Sequence, residues 1–182
     1  MRTPPLIILE GPDCVGKTTL GKEISKEFGG MYFHATASKT LFPAMQAYQT
    51  SILDNVETNI AMYRACVLDR HWPSEIVYGN VYRKETANGF NPEPHIERIR
   101  ALHGIYIMCD RVDVVERHAE KKGAAHAYDD HSFRLVVEGS RHQTNIMEAN
   151  ELPVMRYDLN VWGKNMRDFI SLIKVRYHEL TD

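Results

Sequence analysis

The most constraining stretch is Leu6-Ile-Ile-Leu-Glu-Gly-Pro-Asp-Cys-Val-Gly-Lys-Thr18, an apolar run that ends in Gly11-x-x-x-x-Gly16-Lys17-Thr18. Leu6 to Leu9 suit a short strand buried on both faces, and Leu20, Ile24 and Phe28 recur at helical spacing just beyond the glycines. Strand, glycine loop and helix in that order form a cradle for phosphate groups. Glycines at 11 and 16 let the backbone turn tightly, so that successive N–H groups converge on an anion. Lys17 adds a mobile positive charge, and Thr18 opens the helix, whose positive dipole end also favours phosphate. The loop residues Gly11, Asp13, Cys14, Val15, Gly16, Lys17, Thr18 and Thr19 are therefore the expected binding site of a nucleoside triphosphate such as ATP. The Thr18 hydroxyl is the expected contact for Mg²⁺.

The remaining chain repeats that strand-and-helix pattern. Strands are expected at 31–35, 65–69, 104–110 and 153–157, with helices over about 41–60, 73–82, 95–102, 112–122, 132–149 and 161–177. Five strands alternating with helices predict a twisted parallel sheet covered on both faces, built as one domain over residues 1–182. In such sheets ligands bind at the C-terminal strand ends, which should bring Gly11 to Lys17, Asp69-Arg70 and Asp110 together. The third strand ends in Asp69, placed to organise Mg²⁺ through water, and the adjacent Arg70 can grip phosphate with its planar fork.

Composition narrows the partners. The formal net charge of −2 offers no bulk attraction to nucleic acid or to an anionic membrane. No apolar stretch reaches the length of a membrane span. Met1 to Pro5 run straight into the first strand, which predicts a cytoplasmic protein without a signal peptide. Cys14, Cys66 and Cys109 are too far apart for a disulfide framework or a zinc site. The apolar stripe from Leu41 to Val56 fits either a core-facing helix or the face of a homodimer.

Two segments carry a family likeness: Gly11-Pro-Asp-Cys-Val-Gly-Lys-Thr-Thr19, and Asp69-Arg70-His71 followed by Ser74 and Tyr78. In both, the chain resembles the thymidylate kinase and deoxynucleoside kinase superfamily of P-loop kinases, most of all the small thymidylate-kinase-like proteins of bacteriophages. The resemblance implies a three-layer sandwich with strand order 2-3-1-4-5 and a lid at about 117–131. It also implies ATP- and Mg²⁺-dependent phosphoryl transfer to a deoxynucleoside monophosphate, thymidylate or a modified relative. Arg70 would grip the acceptor phosphate, Asp13 would approach the acceptor, and Ser74 and Tyr78 would line its pocket. Lys17, Asp69, Arg70 and Arg117 would be the catalytic set, with Lys121 and Lys122 as further lid cations.

Other acceptor contacts follow from position. Phe42 and Trp72 are candidates to stack on a nucleobase, and Arg83 lies one helix length beyond Arg70. The family's Arg-Glu-Pro segment after the second strand is replaced by His34-Ala35-Thr36-Ala37-Ser38-Lys39, which leaves His34 as the candidate acceptor contact there. Alternatives in the same class are a deoxynucleoside kinase and a kinase of hydroxymethylated bases in phage DNA, the one reading in which nucleic acid is the acceptor. An NTPase switch or a non-catalytic nucleotide sensor is the alternative of another class. The chain lacks an Asn-Lys-x-Asp guanine-reading sequence, which counts against the switch.

Overall fold

Every expected strand pairs in one five-stranded sheet of order β2-β3-β1-β4-β5, with all neighbours parallel. In the computed structural model, residues 3–35, 44–83, 90–122 and 130–182 are described, and the side chains of residues 83, 119, 121, 122 and 130 are not. The strands are β1 (Leu6–Glu10), β2 (Met31–His34), β3 (Cys66–Asp69), β4 (Ile105–Asp110) and β5 (Val154–Asp158). Between and after them run α1 (Lys17–Glu27), α2 (Met45–Ala61), α3 (Trp72–Tyr78), α4 (Glu93–Ala101), α5 (Val114–Lys122), α6 (Asp130–Ala149), α7 (Leu159–Trp162) and α8 (Met166–Thr181).

The central strand explains why the sheet needs cover on both faces. All five β1 residues are buried, and their alternation splits the core in two. Ile7 and Leu9 meet Leu20 and Ile24 of α1 and Phe169 and Ile173 of α8. Leu6 and Ile8 meet Leu53 and Val56 of α2, Trp72 of α3, Ile96 of α4 and Met147 of α6 on the opposite face. Leu53, Val56 and Ile60 thus bury one face of α2 in the core.

Register places the strand ends that matter. Leu9 stands beside Asp69, Asp69 beside His34, and Glu10 beside Met108. Two expected helices differ from the sequence reading. The one expected over 73–82 ends as α3 at Tyr78 and continues as a π-helical turn, Gly79–Arg83. A widened turn of this kind interrupts the regular α-helical hydrogen-bond ladder directly after Tyr78. The closing helix breaks into α7 and α8, because Asp158 caps the Asn160 N–H at 2.8 Å to start a short turn that stops at Gly163. Residues 123–129 of the expected lid at about 117–131 lie outside the described residues.

Candidate functional site

The glycine loop joins β1 to α1 at the C-terminal edge of the sheet. Gly11 has φ 126°, and a Cβ there would stand 2.1 Å from the Cys109 carbonyl oxygen, so only glycine lets the loop lie against β4. Cys14 and Gly16 also adopt positive φ, 67° and 84°, completing the turn onto α1. The side chain of Val15 is fully buried in the core, so this residue can offer the loop only its backbone. Lys17 is 6% exposed, and its amine donates to the Gly11 carbonyl at 3.0 Å and to the Pro12 carbonyl. Burial, with the nearby Arg70 charge, pulls its pKa down to about 8. A buried ammonium held by two carbonyls is a charge poised for an anion.

Asp13, Cys14, Gly16, Lys17, Thr18, Thr19, His34, Asp69 and Arg70 line one cavity of about 340 Å³. The wholly buried Asp69 anchors its floor. Asp69 Oδ2 accepts the Thr18 hydroxyl at 3.0 Å and the Tyr32 hydroxyl at 2.5 Å, and lies 3.2 Å from His34 Nδ1. Its Oδ1 is buried and has no partner among the described residues. Tyr32 was not singled out from the sequence; its ring crosses α1 where a Cβ on Gly21 would come within 2.6 Å of it. Burial, with the Asp69 carboxylate, raises the Tyr32 pKa to about 12, so the phenol remains a donor.

The donor set fits Mg²⁺. An orphaned carboxylate oxygen beside a threonine hydroxyl supplies hard oxygen ligands, and this ion takes few protein ligands alongside phosphate and water. Among the described residues no group of three or more His, Cys, Asp or Glu could hold a metal alone.

Arg70 faces the loop from β3. Its backbone is left-handed, φ 77°, and its N–H donates to the Leu9 carbonyl at 2.9 Å. Nη1 donates to the Gly11 carbonyl at 3.1 Å and to Ser74 Oγ at 3.0 Å. Nη2 donates to Asp13 Oδ1 at 2.6 Å and to Tyr78 Oη at 3.0 Å. Burial works against its charge, but Tyr78, Asp13 and Glu10 more than offset this and hold the guanidinium protonated.

Glu10, the last residue of β1, is the other group the sequence reading passed over. It is 1% exposed. Oε1 accepts the His71 N–H at 2.6 Å and Oε2 accepts the Ser74 hydroxyl at 2.5 Å. Burial pushes its pKa up to about 7, with Ser74 and Arg70 pulling the other way. The available signal was an acid closing an apolar strand directly before the glycine loop.

The other expected residues divide. Trp72 is corrected from base stacking to core packing: it is 1% exposed and its indole N–H donates to Tyr106 Oη at 2.8 Å, which leaves no ring face for a ligand. Asp110 does end β4 at the same edge, but it pairs with Arg141 at 2.9 Å and lines a separate cavity of about 220 Å³ with Pro12 and Arg156. Arg117 is half-exposed and pairs with Asp113 at 3.2 Å and Glu120 at 2.9 Å along α5. Phe42 and the side chains of Arg83, Lys121 and Lys122 lie outside the described residues.

No protein-family model and no curated protein matches the sequence. Solved structures do. The YorR protein of Bacillus subtilis, in complex with phosphorylated GDP, matches with a TM-score of 0.67 and 21% identity over 95% of this chain and 98% of its own. The thymidylate kinase of Candida albicans matches with a TM-score of 0.63 and 15% identity over 96% and 94%. The deoxyadenosine kinase of M. mycoides, with dCMP and a flexible dCDP bound as products, matches with a TM-score of 0.59 and 16% identity over 95% and 98%. At these identities the likeness is one of fold, and it spans nearly the whole of this chain and of each of the three.

Proposed function

We propose that this protein is a nucleotide kinase that transfers the γ-phosphoryl group of ATP to a deoxynucleoside monophosphate, thymidylate or a related nucleotide, with Mg²⁺. The observation that carries the reading is Arg70, a fully charged guanidinium held at the mouth of the glycine loop by four side-chain donations, in the same cavity as Lys17, Thr18 and Asp69. A triphosphate alone needs only the loop. An arginine fixed opposite it supplies the grip for a second anion.

The work of such a site is positioning and charge neutralisation. Lys17 gives up the Gly11 and Pro12 carbonyls and turns to the β- and γ-phosphates. Arg70 gives up Asp13 and takes the acceptor phosphate, while Ser74 and Tyr78 keep its plane. Asp13, released, turns toward the acceptor. An acceptor phosphate oxygen then attacks the γ-phosphorus as its bond to the ADP oxygen breaks. Thr18 and Asp69 would hold Mg²⁺, which when bound would supply positive charge against that of the phosphates. Arg117, Lys121 and Lys122, on the segment at about 117–131, are the cations a closing lid would bring to the transferred group.

A second reading, transfer to a deoxynucleoside hydroxyl, is favoured by His34 alone, which lines the cavity 3.2 Å from Asp69 where a hydroxyl acceptor needs a base. The test is purified protein with ATP and Mg²⁺ against a panel of deoxynucleoside monophosphates, deoxynucleosides and hydroxymethylated DNA, following ADP. ADP release that depends on a monophosphate is expected. Acceptor-independent ADP release, or tight ATP binding without turnover, overturns the kinase reading. Turnover of nucleosides alone selects the second one.

A further inference from the structure

Glu10 has no part in the transfer just described, yet it is a buried acid with both oxygens committed. One oxygen takes the backbone N–H of His71, the residue after the left-handed Arg70, and so pins the turn from which the arginine projects. The other takes the single hydrogen of the Ser74 hydroxyl. With that hydrogen directed at Glu10, the lone pairs of Ser74 face Arg70 Nη1 at 3.0 Å. The carboxylate thereby sets the polarity of a chain running Arg70 to Ser74 to Glu10. We infer that Glu10 is the positioning residue for Arg70, fixing through Ser74 and the His71 turn the direction in which the guanidinium meets an anionic acceptor, and so the affinity for that acceptor.

This rests on the reading of Arg70 as the acceptor grip. Glu10 itself touches neither substrate. The charged or titratable groups around it are Lys17 from α1, Arg70 at the end of β3, and Tyr106 and Cys109 from β4. From α6, Ser140 and Gln143 line the same crevice, as does Ser74 from α3, and none of the three titrates near neutrality. Because burial raises the Glu10 pKa to about 7, a proton competes with Ser74 for the carboxylate just below neutral pH.

Glu10→Gln keeps the shape and reverses the polarity. If its oxygen stays on His71, its amide donates to Ser74 and turns the serine hydrogen onto Arg70. Steady-state kinetics with the best monophosphate of the panel should show the acceptor KM raised about tenfold, with the ATP KM and kcat within about twofold of wild type. The wild-type acceptor KM should rise more steeply as pH falls from 8 to 6 than that of Glu10→Gln, whose remaining rise reports the acceptor's own phosphate ionisation at about pH 6. Ser74→Ala, which cuts the relay without touching β1, should raise the acceptor KM alike. Adding Glu10→Gln to it should cost no more than twofold further, so the relay stays testable even if the glutamine variant folds poorly. Wild-type turnover with an unchanged acceptor KM in Glu10→Gln and in Ser74→Ala overturns the inference alone. So does an equal rise in both KM values. Absence of monophosphate turnover by wild type overturns the reading it rests on.

Discussion

Replacing Arg70 by alanine and, separately, by glycine should divide what this residue does for the backbone from what it does for a ligand. Its φ of 77° is left-handed, a conformation that costs an L-residue roughly 1–2 kcal/mol and glycine almost nothing. Its guanidinium donates to Gly11, Ser74, Asp13 and Tyr78. Ser74 keeps Glu10 as a partner when the arginine goes, and Asp13 is exposed enough to be hydrated. The net loss on truncation is then about 2–3 kcal/mol, below the sum of four charged bonds. Alanine should show all of it by urea unfolding. Glycine should recover about 1 kcal/mol, the strain less the extra entropy of a glycine in the unfolded chain. Both variants should lose the same 10²- to 10³-fold in kcat/KM for a monophosphate acceptor, because the missing guanidinium is common to them. A glycine variant no more stable than alanine would refute the strained backbone. Transfer rates that differ by more than a few-fold, or remain near wild type, would refute the assigned grip.

Three further outcomes follow from the same geometry. Glu10 is buried, with its folded pKa raised to about 7 from 4.5; its stability contribution is therefore complete below 4.5 and lost as pH rises through 7. Between pH 5 and 8 the stability difference between wild type and Glu10→Gln should shift by about 2–3 kcal/mol in favour of the variant, and parallel unfolding curves at the two pH values would contradict the burial cost. Lys17, pulled down to about 8, is partly neutral in the free protein above that pH, so ATP binding at pH 8.5 should take up a proton, seen in calorimetry as a dependence on buffer ionisation heat. Lys17→Met should remove that uptake and at least about 10²-fold of the turnover. Gly11→Ala sets a Cβ against the Cys109 carbonyl at φ 126°; it should cost at least about 3 kcal/mol in urea unfolding and abolish ATP binding, and a variant of normal stability would show the loop is not held as described.

Much of the fold was legible because its signals are local. Apolar runs such as Leu6 to Leu9 and Cys66 to Leu68 are short, β-rich and bounded, and α1 carries Leu20 and Ile24 at helical spacing. The breaks were not legible. The π-helical turn after Tyr78 lies where α3 and the turn itself meet α6, contacts that no window of sequence contains, and the stop at Gly163 follows a short Asp158 cap that apolar periodicity does not report. Trp72 illustrates the same limit at the site. An aromatic beside Asp69-Arg70 reads as a stacking ring, but its side chain turns into the core, where Tyr106 waits for its N–H.

By itself the sequence determined the order of strands and helices and the glycine loop between β1 and α1, since glycine spacing and apolar periodicity act within a few residues of one another. Which groups share a cavity was decided only by the tertiary structure. Parallel register puts His34, Asp69 and Leu9 side by side from three distant strands, and the closeness of β1 to the β3 turn lets Glu10 reach His71 and Ser74. Burial then does what no residue type can do alone. It moves Glu10 and Lys17 toward neutrality from opposite directions, because a charge removed from water must be shared with whatever the fold has placed beside it.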